Sequence, residues 1–455
     1  MRAEIRRRTE TRMGSKQPEI IQIMQDPEFY PHPVDSVELR ETHISWVFLT
    51  GDFAYKVKKP VELGFLDFSS LEKRRHYCRR ELELNRRLTD DVYLEVFSVT
   101  GGEDGFRMNA SGPVVEYALK MRQLSERDAL ENLLEEKRFE TRQIERLAAR
   151  LAEFYEKAAS GSQISAFGTR KIVAQNCDEN FRQIAETGLD FVDRRRLRIV
   201  EAATDGFIEN HRRLFAERIA HGRIRDCHGD LRTDHVYFTS RGIQIIDCIE
   251  FNKRFRYADV ACDLAFLAME LDFQNHPRPA GRLVTAFARA SGDRRLHSLL
   301  DFYKCYRAMV RVKVHCLRCT QTDVGPGEAR KLADAARRYL GLAYRYAVQF
   351  SQPTLWVVCG QVATGKSTVA RALADSLSIA VLRSDVLRKQ LFERSKLKNG
   401  VVHFGEGIYS PEASSLTYGR LLLEAQAKIE RGRSVVLDAT FSRKAQRREV
   451  LRLAD

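Results

Sequence analysis

The sequence predicts two folded parts of different class, an α+β domain with a small β-rich lobe and a larger helical lobe, then an α/β domain. Three observations predict it. β-rich runs crowd residues 37 to 124, helical periodicity dominates from Glu126 onward, and a strand–loop–helix pattern opens abruptly after Ser351-Gln352-Pro353. At roughly 150 residues per domain, 455 residues exceed what one hydrophobic core fills. With 44% hydrophobic and 30% charged residues, the composition is globular and excludes a disordered or fibrous chain.

Residues 1–17 are basic with nothing to pack, so a loose arm is expected there. The arm lacks the apolar stretch of a secretory signal, and no apolar run reaches the roughly 20 residues of a membrane span, so a cytoplasmic location without a membrane partner is expected. The runs ISWVFLT and FAYKVKKPV flank Gly51-Asp52, the signature of a hairpin with a two-residue turn. A strongly charged helix is expected from about Leu71 to Leu88, then short strands as far as Leu124. In the helical part, ERLAARLAEFYEKA has apolar residues at three-to-four spacing. The helical pattern breaks once, at RIRDCHGDLRTDHVYFTSRGIQIIDCIEFN, which reads as a loop and two short strands. TLWVVC, GQVATGKST and TVARALADSL then give the strand, loop and helix of the second domain. The expected domains are residues 18–348 and 349–455.

Nine cysteines, an odd and scattered set, fit reduced and mostly buried thiols. Cys316-Leu-Arg-Cys319, preceded by His315, lacks the second ligand pair of a zinc site and reads as thiols on successive helical turns. The net charge of +14 invites a nucleic-acid reading. The basic residues of the first domain are nevertheless interspersed with acidic ones, as in RRHYCRRELELNRRL. The excess concentrates in residues 353–455, with 17 Lys and Arg against 10 Asp and Glu, and in residues 1–16, with 6 against 2. Small anionic ligands such as nucleotides account for that balance, and nucleic acid is not the expected partner.

His228-Gly229-Asp230-Leu231 precedes Ile245-Ile246-Asp247 by the length of one short hairpin. Phosphoryl transfer needs one carboxylate to orient and deprotonate the acceptor hydroxyl, and another to hold the metal that bridges the nucleotide phosphates. Asp230 suits the first role and Asp247 the second. In Phe53-Ala54-Tyr55-Lys56, alternation puts Ala54 and Lys56 on one face, as in the VAIK strand of kinases. Lys56 is the candidate for the α- and β-phosphates. Lys58 on the same face is the runner-up, and Lys59 points away. A glutamate partner is expected from the next helix, either Glu81 or Glu83.

These segments, with ELELNRRL, DVACDLAFLAMEL and YRAMVRVKV, make residues 37 to about 320 resemble the aminoglycoside phosphotransferase-like kinases, in the bacterial branch that fuses such a domain to a C-terminal P-loop kinase. The resemblance implies an α+β protein-kinase-like two-lobed fold using ATP and Mg²⁺. It departs from the family in two places. The family's second metal ligand is an Asn five residues after the catalytic Asp, and here that position is His235: a weak or indirect ligand, or the mark of a site that holds metal poorly. The Gly-rich loop over the phosphates is also missing, its place taken by Glu41-Thr42-His43. One of Asp259 and Asp263 is expected to hold the backbone of the catalytic loop. Arg307 and Arg311, one turn apart, form either a solvated face or a basic rim.

Gly360-Gln-Val-Ala-Thr-Gly365-Lys366-Ser367 matches GxxxxGK[ST] in full, between a predicted strand and a predicted helix. Its backbone N–H groups wrap phosphates at a helix N-terminus, Lys366 reaches the β/γ-phosphates and Ser367 binds Mg²⁺; Thr368 adds an α-phosphate contact. With Ser384-Asp385-Val-Leu-Arg388 and VVLD ending at Asp438, this order resembles small P-loop kinases such as gluconate kinase, zeta-toxin-type kinases and polynucleotide 5′-kinases. The resemblance makes the second domain an α/β P-loop NTPase, AAA-type in its ATP-binding loop. Asp385 is then the candidate base or a helix N-cap, Arg388 a substrate or phosphate contact, and Asp438 a group near the metal. Only three strands fit after Thr354, which leaves the loop-bearing strand at the sheet edge, as in a domain lacking its last third. The expected function is an ATP-dependent phosphotransferase acting on a hydroxyl of an unidentified small molecule. The alternatives are a nucleotide-binding regulatory protein with little turnover and a polynucleotide 5′-kinase-like activity.

Overall fold

The computed structural model describes residues 18–102, 105–322, 324–351, 353–377, 379–392, 407–430 and 433–454. The basic arm expected at 1–17 lies outside them. The described residues form two compact units, one drawn from Met1–Val173, Ala216–Ser291 and Val314–Asp334, the other from Ala174–Phe215, Gly292–Lys313 and Ala335–Asp455.

The first unit opens with a six-stranded sheet: β1 (Glu38–Glu41), β2 (Ser45–Leu49), β3 (Phe53–Lys58), β4 (Tyr93–Gly102), β5 (Gly105–Met108) and β6 (Val114–Arg122), in the order β1-β2-β3-β6-β4-β5 with every pair antiparallel. The expected hairpin is β2–β3; Thr50 N–H donates to Phe53 O at 2.9 Å across Gly51-Asp52, and Gly51 has φ +92°. One face carries the apolar core: Trp46, Phe48, Tyr55, Val57, Phe97 and Val99 pack with Ile21 and Met24. On β3 the residues between these, Ala54, Lys56 and Lys58, point to the opposite face.

Helix Leu71–Asn85 follows, three residues shorter than expected, with the Ser70 hydroxyl capping Lys73 N–H at its start. It packs on β4 and β6 and buries Arg74 and Glu81. Arg74 pairs with buried Glu116. In the helical part of the unit, helix Thr141–Lys157 packs on helix Pro277–Ser291, and helix Val260–Phe273 is buried on all sides from Val260 to Leu271. Two small ladders lie among these helices: β7 (Ile224–Asp226) with β10 (Tyr257–Asp259), and the hairpin of β8 (Val236–Thr239) and β9 (Gly242–Ile245).

The second unit contains a parallel sheet of β11 (Leu355–Val358), β12 (Ala380–Arg383) and β13 (Val435–Asp438), in the order β11-β13-β12. These are the three strands expected from sequence. β13 is buried throughout, as a central strand should be, and packs under helix Pro411–Ile429 on one side and helix Lys366–Leu377 on the other. Among the described residues β11 pairs with β13 alone, and Trp356 and Val357 are exposed at this edge. In the same unit Phe207, Phe302 and Phe350 form an aromatic cluster with centroids 4.6 to 6.0 Å apart.

Helix His297–Cys319 carries Cys316 and Cys319 on successive turns, as expected. Arg307 is buried, so it belongs to neither a solvated face nor a rim; Arg311 lies over the Tyr339 ring. No helix among the described residues is long and apolar enough to cross a membrane.

Candidate active sites

In the first unit the two lysines on the inward face of β3 meet a single carboxylate. Lys56 Nζ donates to Glu81 Oε1 at 2.7 Å and Lys58 Nζ to Glu81 Oε2 at 2.6 Å. Lys56 also donates to Asp247 Oδ1 at 2.6 Å, and Lys58 to Glu250. The result is an unbroken chain of alternating charge, Asp247–Lys56–Glu81–Lys58–Glu250. Burial raises the Glu81 pKa, but the two ammonium groups outweigh it and hold the carboxylate ionised. Burial likewise disfavours the Lys56 charge, and Asp247 and Glu81 more than restore it. Of the two candidate glutamates Glu81 is the partner, since Glu83 pairs with Arg80 at the surface. Lys59 turns away to Glu41 and the Trp46 ring, as alternation requires.

The loop 228–231 is fixed from beneath by Asp263. Its Oδ2 accepts from His228 N–H (2.8 Å) and the Tyr155 hydroxyl (2.9 Å), and its Oδ1 from Gly229 N–H (2.9 Å). Asp263 therefore takes the backbone-holding role, whereas Asp259 caps helix Val260–Phe273 and pairs with Arg218. Gly229 has φ +91°, and a Cβ there would lie 3.1 Å from Phe255 O, so only glycine makes this turn without strain. His228 is buried; its Nε2 sits 2.8 Å from Ile246 O and its Nδ1 accepts from Asp230 N–H at 3.2 Å. The loop thereby presents Asp230, whose side chain is 30% exposed.

Asp247 follows the β8–β9 hairpin with φ +65°, a conformation uncommon for a residue with a side chain. Its N–H donates to the Tyr93 hydroxyl at 3.1 Å, and its side chain is 45% exposed. Burial raises its pKa, and the Lys56 ammonium pulls it well below the carboxylate range. His235 lies between the two aspartates, its Nδ1 3.7 Å from Asp230 Oδ2 and its Nε2 3.7 Å from Asp247 Oδ2. Among the described residues no three His, Cys, Asp or Glu side chains cluster to hold a metal by themselves. The donor set suits Mg²⁺ brought in with phosphates, which needs only one or two protein carboxylates.

In the second unit the P-loop runs from the end of β11 to helix Lys366–Leu377. Gly360 (φ +143°), Ala363 (φ +63°) and Gly365 (φ +84°) give it its turns, and Lys366 Nζ folds back onto Gln361 O. Thr368 N–H donates to Gly365 O at 3.0 Å. The parallel register sets Val358 and Arg383 beside Asp438, so all three strands deliver their ends to one level. Asp438 is buried, and Arg383 bridges it (Nε to Oδ2, 3.3 Å) to the exposed Asp385 (Nη2 to Oδ2, 3.1 Å). Asp385 stands in the first turn of helix Ser384–Phe392 and does not cap it. Arg388, expected at a substrate, donates to Ile408 O (2.7 Å) and Ser414 Oγ (3.3 Å) and lies over the Tyr409 ring.

Sequence reasoning passed over Glu250, Tyr93, Arg232 and Arg383. Arg383 had a local signal, its place at a strand end two residues before Asp385; Glu250 and Tyr93 had none.

The uncharacterized protein Rv2004c of Mycobacterium tuberculosis and the uncharacterized protein Mb2027c of Mycobacterium bovis are each 33% identical to the chain over 426 residues, 93% of this chain and 82% of theirs. The chain belongs to their family. The family described as AAA domain matches residues 355–455. Similar solved structures include a choline/ethanolamine kinase family protein from Mesorhizobium loti (13% identity, TM-score 0.41, covering 70% of this chain and 94% of that one). Another is a choline kinase from Cryptosporidium parvum (8% identity, TM-score 0.44, covering 72% and 96%). The architecture is an α+β unit with a six-stranded antiparallel sheet, and an α/β domain that carries the P-loop.

Proposed function

We propose that the chain is an ATP-dependent phosphotransferase that phosphorylates a hydroxyl group of a small molecule, and that its P-loop is a second nucleotide site. The functional modules are residues 18–348 and 349–455. The observation that carries this reading is the meeting of Lys56, 25 residues from Glu81 and 191 from Asp247, with both carboxylates. A buried ion pair adds little to stability by itself, so three charges gathered beside a loop bearing an open aspartate are better explained by phosphate chemistry.

Lys56, oriented by Glu81, binds the α- and β-phosphates. Asp230 accepts the proton of the acceptor hydroxyl and aims its oxygen in line with the γ-phosphate. Asp247 would hold Mg²⁺, which when bound neutralises charge on the phosphates. In the second module the backbone of Gly360 to Gly365 and Lys366 hold the phosphates, Ser367 and Asp438 would hold Mg²⁺, and Asp385 is the candidate base. Arg388 supports the segment that borders this site.

The test is ATP consumption against a metabolite pool by wild type, Asp230→Ala and Lys366→Ala. Acceptor-dependent turnover that Asp230→Ala abolishes is expected. Tight ATP binding with no turnover on any acceptor would sink the enzyme reading in favour of a nucleotide-binding regulatory protein.

A further inference from the structure

Protein-kinase sites commonly hold two Mg²⁺ ions, one on the aspartate that Asp247 represents and one on an asparagine of the catalytic loop. Here the asparagine position is His235, and its hydrogen bonds fix what it can offer. Nδ1 is 2.8 Å from the carbonyl oxygen of Asp230, which only accepts, so Nδ1 carries the ring proton. Nε2 is 2.9 Å from Arg232 Nη2, which only donates, so the one lone pair of the ring is already engaged by a cation. His235 has no oxygen to offer where the amide would stand, and Mg²⁺ is a hard ion that takes oxygen.

The capping guanidinium stands among the carboxylates that would otherwise surround a metal. Arg232 Nη2 is 2.8 Å from Asp234 Oδ2, and Nε is 3.3 Å from Asp230 Oδ2. Nε is buried and has no hydrogen-bond partner, so the fork keeps a donor beside the base. Asp230, Asp234, Glu270 and Asp247 all favour its charge. A guanidinium is permanently charged, so it supplies without a metal the positive charge that phosphate oxygens need there.

We propose that Arg232 takes the place of the second metal ion, so that this site works with one divalent cation, on Asp247, and one built-in guanidinium beside Asp230. The inference rests on the phosphotransferase reading of the first site. It implies that nucleotide binds with one ion where a pair would be usual, and that the number of ions is set by a side chain.

The experiment counts nucleotide-dependent Mn²⁺ by electron paramagnetic resonance in the full-length Lys366→Ala/Ser367→Ala protein, which silences the P-loop, with saturating AMP-PNP. One Mn²⁺ per chain, lost on adding Asp247→Ala, is expected. Adding Arg232→Ala and His235→Asn together should raise the count to two. Two Mn²⁺ with Arg232 intact would overturn the inference and leave the phosphotransferase reading standing. A folded, AMP-PNP-binding Arg232→Ala/His235→Asn protein that still holds one ion would also overturn it. If no Mn²⁺ depends on Asp247, the phosphotransferase reading itself fails and the inference falls with it. The first count needs no change at Arg232, so it decides even where the double substitution does not fold.

Discussion

The two proposed phosphate sites answer the same electrostatic demand with different materials. The first gathers side chains from β3, helix Leu71–Asn85, the catalytic loop and the residue after β9, and joins them by buried ion pairs. The second is one continuous loop whose glycines aim backbone N–H groups, with a half-buried lysine folded onto the Gln361 carbonyl of the same loop. A site built from buried charge is part of the core of its unit, so altering it threatens the fold. A site built from a surface loop can lose its ligand contacts and leave the fold alone.

The sharpest way to break this comparison is at Glu81. Glu81→Ala takes from Lys56 and Lys58 the carboxylate they share, leaving them Asp247 and Glu250 alone, and breaking a buried charge pair costs up to about 3–5 kcal/mol. Chemical denaturation should show that loss, and a change under about 1 kcal/mol would mean the network is wetter than its burial implies. Lys366→Ala is the counterpart. Loss of a charge-assisted contact should weaken nucleotide binding at the P-loop by about 1.5–3 kcal/mol, roughly 10- to 150-fold, with the unfolding midpoint unchanged. A shifted midpoint would erase the contrast. Asp263→Asn lies between the two. An amide has one accepting oxygen for the three donors Tyr155, His228 and Gly229, so one or more goes unpaired at about 1–3 kcal/mol, and turnover should fall because the Asp230 loop shifts.

The same difference explains what could be read in advance. The P-loop is contiguous, so its glycines, lysine and flanking elements were legible together, as were the three strands and the edge position of β11. In the first unit, alternation and spacing single out Lys56 and Asp247, which the structure brings together, because strand geometry fixes which residues share a face. The choice of Glu81 over Glu83 needed the rotation of a helix whose sequence is charged all round and carries no apolar stripe. Glu250 was out of reach because its role depends on Lys58, 192 residues away. Arg232 was visible in the motif, but its hold on His235 comes from a 3₁₀ turn, Thr233–His235, that folds the loop back on itself.

The smallest expected effect concerns pH. His228 is buried, and burial lowers its pKa from the ordinary value of 6.5, while Asp263 and Asp230 oppose the shift. The ring is therefore neutral in the folded protein, donating from Nε2 to Ile246 O and accepting Asp230 N–H at Nδ1. Below pH of about 6.5 the unfolded chain takes up a proton that the folded chain refuses. The stability contributed by this histidine is thus complete above that pH and declines as pH falls toward the lowered folded value. His228→Asn keeps an acceptor for Asp230 N–H but cannot titrate, so unfolding free energies measured from pH 7.5 to 5.5 should show a shallower acid decline in the variant. Equal slopes would place the proton on the folded-state ring, and the Asp230 N–H would then need another acceptor. The P-loop module, whose proposed phosphate contacts are backbone N–H groups and a lysine, should hold nucleotide across the same range.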